Sequence, residues 1–522
     1  MSRKQRDPES RQKDSGSYCW NWKKCSAVAS PALAIAFACS LVYLLVLIFA
    51  RKPSCLVHSS RSSSFSSIAS STSSSLPSAK TKPTTFSFVD VETRPIEDDD
   101  DDDSSDPAGK MASLGNIVFG IAATARLWDR RKSYVKLWWR PNEMRGFVWL
   151  DEAIQNYSSG ALPPSRISGS TAGFRYTRRG GRRAAIRISR IVSETFRVGL
   201  PDVHWFVMGD DDTIFVPDNL VRVLAKYDHR KLYYIGASSE SHHQNLMFSY
   251  GMAYGGGGFA ISYALASALE QRHDECLERY PFLYGSDDRI HACMSELGVP
   301  LTKELGFHQL DVHGDVSGLL SAHPIAPFIS MHHLDVIHPI FPGVGQAAAL
   351  RHLSKAVDID PAGIFQQSIC YDRQRSWSIS VSFGYMVKVI RGGLKAPRDL
   401  ETPTRTFMSW NRRFDEDGYS FTSRPPPKSP CDVPLVFHMK EVAYASRDGM
   451  SVSNYTRTRT KKQGGDCPSK SAEELRWIQV LKERTKDSWF VAPRRQCCQI
   501  MSVASHSMRL LVRDCRDGEL IL

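Results

Sequence analysis

The run Trp205-Phe206-Val207-Met208-Gly209-Asp210-Asp211-Asp212-Thr213-Ile214-Phe215-Val216 constrains this chain more than any other stretch. An apolar, aromatic-rich segment suits a strand buried between layers, yet it ends in three consecutive carboxylates before the apolar pattern resumes. Like charges at a buried strand end repel one another and are costly to desolvate unless a cation or donor groups face them. Hard oxygen ligands in that position suit Mg²⁺ or Mn²⁺ holding a diphosphate. A solvated Asp-rich turn is the alternative, and the flanking sequence argues against it.

Strand and helix signals alternate around this run. Ile117 to Ala122 reads as a short apolar strand, Arg126 to Trp139 has helical spacing, Phe147 to Leu150 is a second strand ending in Asp151, and Arg187 to Phe196 is a second helix. That alternation predicts an α/β fold with a parallel sheet covered on both faces. Such sheets bind ligands at the carboxyl ends of their strands, where Asp151 and the Asp210 cluster stand.

Further on come a helix opened by Pro217 and Asp218, a strand from Leu232 to Gly236, and Tyr254-Gly255-Gly256-Gly257-Gly258-Phe259 followed by a helix from about Ser262 to His273. Four glycines strip the side chains from a stretch of backbone and let a ligand approach its amides. No GxxxxGK[ST] pattern is present, which excludes a P-loop. Asp287 and Asp288 open a helix to Leu297, a place where acidic residues also serve as caps and dipole partners. His308, His313, His332, His333 and His338 cluster in sequence, and neutral imidazole is a good Mn²⁺ ligand. His332-His333-Leu334-Asp335 is a metal candidate as well, but it lacks the i, i+4 spacing of a helical zinc site, which favours the structural reading.

The chain has 522 residues with 67 Lys plus Arg against 55 Asp plus Glu, and its 42% apolar content suits a globular protein over most of its length. Residues 27–50 form an uncharged, mostly apolar run long enough to span a bilayer. Arg3, Lys4, Arg6, Arg11, Lys13, Lys23 and Lys24 precede it, which predicts a cytoplasmic tail over 1–26 and an uncleaved signal anchor. Everything beyond is then luminal, so nucleic acid is excluded as a partner despite the net charge of +12. Residues 51–112, Ser-rich and then acidic through Asp98 to Asp103, read as a disordered stem. Asn156 and Asn454 begin glycosylation sequons. Cys276, Cys293, Cys370, Cys431, Cys467, Cys497, Cys498 and Cys515 fit no zinc spacing, and disulfides are their expected use in an oxidising lumen, with connectivity open.

Strand, Asp-Asp-Asp, Gly-rich stretch, acidic pair and Phe-His follow in one order, which resembles the Fringe and β-1,3-galactosyltransferase group of inverting glycosyltransferases. Trp138-Trp139-Arg140-Pro141, Arg145 to Asp151, His333-Leu334-Asp335 and Ser368-Ile369-Cys370-Tyr371-Asp372 are similar to motifs of a plant Fringe-like family. The resemblance implies a GT-A type nucleotide-sugar-binding fold over 113–345, a Golgi type II membrane topology, a UDP-sugar donor, a glycan or glycoprotein acceptor, and Mn²⁺ with Mg²⁺ as an alternative. Carried over by position, it implies that Asp212 and His308 bind the metal, that Asp210 contacts the donor ribose with Asp211 in support, and that Gly255 to Gly258 lie against the donor. It gives the acidic pair the role of catalytic base, Asp288 first and Asp287 in reserve. Arg289-Ile290-His291-Ala292 departs from the family pattern of small residues there. A mostly β appended domain is expected over 346–499, from the alternation of Trp377 to Phe383 and the apolar Leu435-Val436-Phe437, and residues 500–522 carry no element or motif. The leading expectation is a glycosyltransferase. A carbohydrate-binding or scaffolding protein that kept the fold without turnover, and a metal-dependent phosphoesterase, are the other classes. Oligomeric state is left open.

Overall fold

The computed structural model describes residues 113–155, 157–158, 160–412, 418–445, 449–458 and 470–521. The apolar run 27–50, the tail, the stem and Asn156 lie outside them. Among the described residues no helix is long and apolar enough to cross a membrane.

The α/β half is built on β1 (Ile117–Ala122), β2 (Arg145–Leu150), β3 (Ser165–Ile167), β4 (Trp205–Asp210), β5 (Ile214–Phe215), β6 (Tyr234–Gly236), β7 (Phe259–Ser262) and β8 (Leu301–Lys303). Seven of these form one sheet in the order β3-β2-β1-β4-β7-β6-β8, and only β7 runs antiparallel to its neighbours. The principal helices are α1 (Ala125–Val135), α2 (Ala184–Arg197), α3 (Pro217–Leu224), α4 (Tyr263–Glu270), α5 (His273–Arg279), α6 (Ser286–Glu296) and α7 (Gln346–Ile359). Period-two alternation sends Ile117, Phe119, Ile121, Trp205 and Val207 to one face of the sheet, and Val118, Ala122, Phe206 and Met208 to the other. The second face packs on Ile191, Val192, Leu265, Leu277 and Ile290 from α2 and α4 to α6. A Cys276–Cys293 disulfide staples α5 to α6 there.

A small sheet lies beside the main one, in which β9 (Phe307–His308) and β5 flank β11 (Ser330–Met331), while β10 (Val312–Gly314) pairs with β15 (Phe407–Ser409). The C-terminal half is a closed barrel of β12 (Gln367–Asp372), β13 (Trp377–Ser382), β14 (Met386–Ile390), β16 (Leu435–Tyr444), β17 (Met450–Thr458), β18 (Trp477–Glu483), β20 (Ser507–Arg513) and β19 (Cys497–Val503), in that order around the wall. Closure leaves no unpaired edge.

Two expectations are revised here. The segment beyond residue 500 is part of the barrel: Met508, Leu510 and Val512 alternate inward between Arg509, Leu511 and Arg513, and β20 seals the wall between β18 and β19. Nor is there a core boundary at 345/346. The cluster that begins with Ile117 and Phe119 runs without a break through Leu350 and Leu353 of α7 to Phe437, Ile478 and Leu510 of the barrel. Disulfides Cys370–Cys498 and Cys497–Cys515 tie the last strands to β12 and to the segment after β20. Asn454 sits within β17, its amide donating to Glu441 and its oxygen accepting from Gln479.

At the seam of α7 and the barrel, Lys482 Nζ lies 2.5 Å from Asp360 Oδ2, with both side chains only 2% exposed. Removing one member of such a pair strands a buried charge, which costs about 3–5 kcal/mol. Asp360→Ala is therefore expected to lower unfolding stability by that amount, measured by urea titration, and a loss under about 1 kcal/mol would contradict a desolvated pair.

Candidate active site

The acidic turn sits where β4 ends, and its three carboxylates face different surroundings. Asp210 is 35% exposed by side chain, whereas Asp211 is 3% and Asp212 is 2% exposed, so only Asp210 opens fully onto the cleft. The turn is braced from within. Thr213 Oγ1 accepts from the Asp210 amide at 2.8 Å and donates to Gly256 O at 2.7 Å. Trp138 donates its indole N–H to Thr213 O at 3.0 Å, because the chain leaves the helical path after Val135 and turns toward Pro141.

Arg131 on α1 supplies one positive charge, with contacts of 2.8 Å to Asp211, 3.0 Å to Asp212 and 3.1 Å to Asp335. Its pKa is raised, because these carboxylates outweigh the burial that opposes its charge. Burial, partly offset by Arg131, pushes Asp211 up to about 7. Asp211 is thus spent on α1 and is not turned toward the cleft.

The histidine that joins the carboxylates is His332. Ligand atoms of Asp210, Asp212 and His332 all lie within 4.8 Å of one another. His332 Nε2 is 3.2 Å from Asp212 Oδ1 and 3.6 Å from Asp210 Oδ2. Strand pairing brings them together: β11 runs antiparallel to β5 with Met331 opposite Ile214, so the residue after Met331 falls beside the turn before Ile214. Helical i, i+4 spacing is therefore the wrong test for this histidine. Burial opposes a charge on His332, but the charge and hydrogen bond of Asp212, with Asp210, push it up to about 9. The same contacts hold Asp212 down at about 2 against its own burial.

His308 does not reach this cluster. In the parallel pairing of β9 with β11 it lies opposite Met331, and directly paired residues share a face, so it points away from the side taken by His332. Its Nδ1 is 3.0 Å from Glu240 and its Nε2 is 2.9 Å from His323. Asp151 stands at the end of β2 as read, but its Oδ1 accepts from the Ala125 amide at 2.9 Å and caps α1.

Each glycine of the run makes room for something. A Cβ on Gly255 would lie 2.6 Å from Asp287 Oδ1, one on Gly256 would lie 2.2 Å from the His332 ring, and one on Gly257 would lie 3.0 Å from the Gln309 amide. Gly258 has φ +86°, which a side chain would strain. Gly256→Ala is expected to displace His332 and weaken Mn²⁺ binding at least tenfold with the circular-dichroism spectrum retained; unchanged Mn²⁺ affinity would remove His332 from the site.

Across the cleft, Asp287 in the first turn of α6 shares one cavity lining with Asp210, Gly255 and Ser286. Burial, then the nearby charge of Asp210, pushes Asp287 up to about 6. Ser286 Oγ donates to its Oδ1 at 3.0 Å. Asp288, one residue on, does not line that cavity; its pKa is raised by burial, against the nearby charges of His291, Arg289 and Arg178. The geometry thus ranks Asp287 ahead of Asp288. Arg289 is fully buried, donates to Gly285 O at 2.9 Å and lies under the Tyr176 ring, so this departure from the family pattern supports the Gly285-Ser286 turn.

The site lies at the end of β4, where Asp210 of the Asp-Asp-His cluster lines a cavity that it shares with Asp287, a carboxylate of raised pKa. At the turn, Asp211 Oδ2 is a buried oxygen without a hydrogen-bond partner among the described residues, and Asp212 Oδ1 faces His332 Nε2 at 3.2 Å. Two carboxylates with an imidazole are a fitting donor set for Mn²⁺ or Mg²⁺. Residues 113–318 match the family model described as Fringe-like, and residues 244–498 match the one described as "Protein of unknown function, DUF604". These two overlapping matches together support a Fringe-like glycosyltransferase family for this chain.

Two solved structures show slight likenesses. A galactosyltransferase, LgtC, in complex with donor and acceptor sugar analogs is 13% identical over 45% of this chain and 91% of its own, with a TM-score of 0.28. The mannosyltransferase PcManGT from Pyrobaculum calidifontis, in complex with GDP-Man and Mn²⁺, is 12% identical over 38% of this chain and 60% of its own, with a TM-score of 0.22. The α/β assignment rests on the strand order itself.

Proposed function

We propose that this glycosyltransferase is a metal-dependent inverting enzyme that moves a hexose or N-acetylhexosamine from a UDP-sugar to a glycan hydroxyl. The observation that carries the reading is the Asp210-Asp212-His332 cluster at the end of β4 together with Asp287, which shares a cavity lining with Asp210. Asp212 and His332 would hold Mn²⁺ or Mg²⁺, with Asp210 at the exposed edge toward the donor. When bound, the metal neutralises charge on the departing diphosphate. Asp287 accepts the proton of the acceptor hydroxyl as that oxygen attacks the anomeric carbon, and the bond from that carbon to the diphosphate oxygen breaks. The glycine run, expected to lie against the donor, instead leaves room for Asp287 and the His332 ring, and Thr213 holds the acidic turn beside it.

A Golgi type II placement is part of the proposal. The apolar run 27–50, the basic residues before it and the three disulfides of the described part support an oxidising lumen. Incubation of the purified chain with a panel of UDP-sugars and glycan acceptors tests the reaction. A product whose anomeric configuration, read by NMR, is opposite to the donor's supports direct displacement. Retention of configuration would sink it.

A further inference from the structure

One connection of the barrel leaves its wall and returns to the metal-binding side of the α/β half. Between β14 and β16, β15 pairs antiparallel with β10, Val312 opposite Ser409 and Gly314 opposite Phe407. After Trp410 the chain anchors a second time: Tyr419 bridges Ser241, the His242 amide donates to Gly418 O at 3.0 Å, and the Ser420 amide donates to Glu240 O at 2.9 Å. Ser420 Oγ also donates to Ser239 O at 2.7 Å. Ser239 Oγ in turn donates to Asp311.

Trp410 is half-buried between these anchors. Its ring stacks with His313 at 4.8 Å between centroids and 1° between planes, and with His333 at 4.5 Å and 8°. Trp410 O lies 3.3 Å from His313 Nε2. His333 directly follows the metal-site histidine, and the two imidazoles are 4.1 Å apart. His333 also has φ +53°, a conformation uncommon outside glycine that persists only when its surroundings enforce it. Two contacts of its ring enforce it: the Trp410 stack, and Asp311 Oδ1 at 3.1 Å from Nδ1.

We propose that Trp410 is a positioning residue for the metal site, and that the barrel connection thereby completes the active site of the α/β half. Stacked on His333, the indole fixes the turn that aims His332 at Asp210 and Asp212. The appended barrel is then a working part of the enzyme, because the His332 ligand is locked from outside the sheet that carries the acidic turn. The inference rests on reading Asp210, Asp212 and His332 as a metal site.

The test is Mn²⁺ titration of the full chain, read as loss of the free-ion electron paramagnetic resonance signal, on wild type, Trp410→Ala, Trp410→Leu, Trp410→Phe and His332→Ala. Loss of a direct outer partner of a ligating histidine lowers metal affinity roughly 10- to 100-fold, and Trp410, which acts through His333, falls at the lower end of that range. That weakening is expected for Trp410→Ala, with recovery in Trp410→Phe, which keeps an aromatic face. Should Trp410→Ala fail to fold, Trp410→Leu, apolar but without the face, decides in its place. Wild-type affinity in the folded Ala or Leu variant overturns the positioning role and leaves the metal site standing. If wild type binds Mn²⁺ no better than His332→Ala, the metal site itself falls, and the inference with it.

Discussion

Asp212→Asn is expected to abolish Mn²⁺ binding and lower transfer by on the order of 10³-fold, the rate equivalent of losing several kcal/mol of metal-borne charge stabilisation. Asn preserves the size of the side chain and its place beside Arg131, so the change removes charge and little else. Asp212 is the carboxylate closest to His332 and nearly closed to solvent, and no neighbour can replace it. Asp211→Asn is the informative contrast. Asp211 is already pushed up to about 7 and faces Arg131, so its neutralisation should leave Mn²⁺ affinity within a few-fold of wild type. Isothermal titration of both variants separates the two. Equal losses would mean that the acidic turn acts as an undifferentiated charge cluster.

Asp287→Asn is expected to lower kcat by about 10²- to 10⁴-fold while leaving donor and metal binding intact, since a general base acts only on the reacting proton. The pH profile adds an independent readout. A base must be deprotonated to work, and Asp287 is pushed up to about 6, so transfer should rise with pH through about 6 and fall away below it. The sign follows from the direction of the shift: burial and the charge of Asp210 favour the protonated carboxyl, and the active form is lost as pH drops through the raised value. Asp287→Asn should erase that limb. Asp288→Asn should keep it, because Asp288 does not line the cavity with Asp210. A profile in which Asp288→Asn removes the limb and Asp287→Asn does not would reverse the assignment.

Much of the α/β half is legible in the sequence because its strands are buried on both faces and announce themselves as short apolar runs. The Trp205 strand with its acidic end and the acidic pair at a helix start occupy the places their patterns suggest, whereas the glycine run packs against Asp287 and His332 and leads into β7, which the sequence does not announce. What is not legible arises from pairing between distant segments. His332 is selected by the antiparallel register of β11 with β5, two-residue strands too short to leave a periodic trace. His308, carried over from a family motif, is turned away by the register of the next strand. Asp287 and Asp288 are indistinguishable as letters, and only the first turn of α6 decides which one faces Asp210. The final strand of the barrel is a different case. Its Met508, Leu510, Val512 alternation is visible, but nothing local says that it inserts between β18 and β19. Trp410 gives no signal at all, since its role depends on a connection crossing from the barrel to β10.

The most direct test of the central claim is UDP release from a UDP-sugar by the purified chain with an acceptor glycan, measured with and without Mn²⁺ for wild type, Asp212→Asn and Asp287→Asn. A cleft that couples an Asp210-Asp212-His332 metal site to an Asp287 base gives acceptor-dependent release that requires Mn²⁺ and is lost in both variants. Release that persists without a divalent ion and in both folded variants would contradict it.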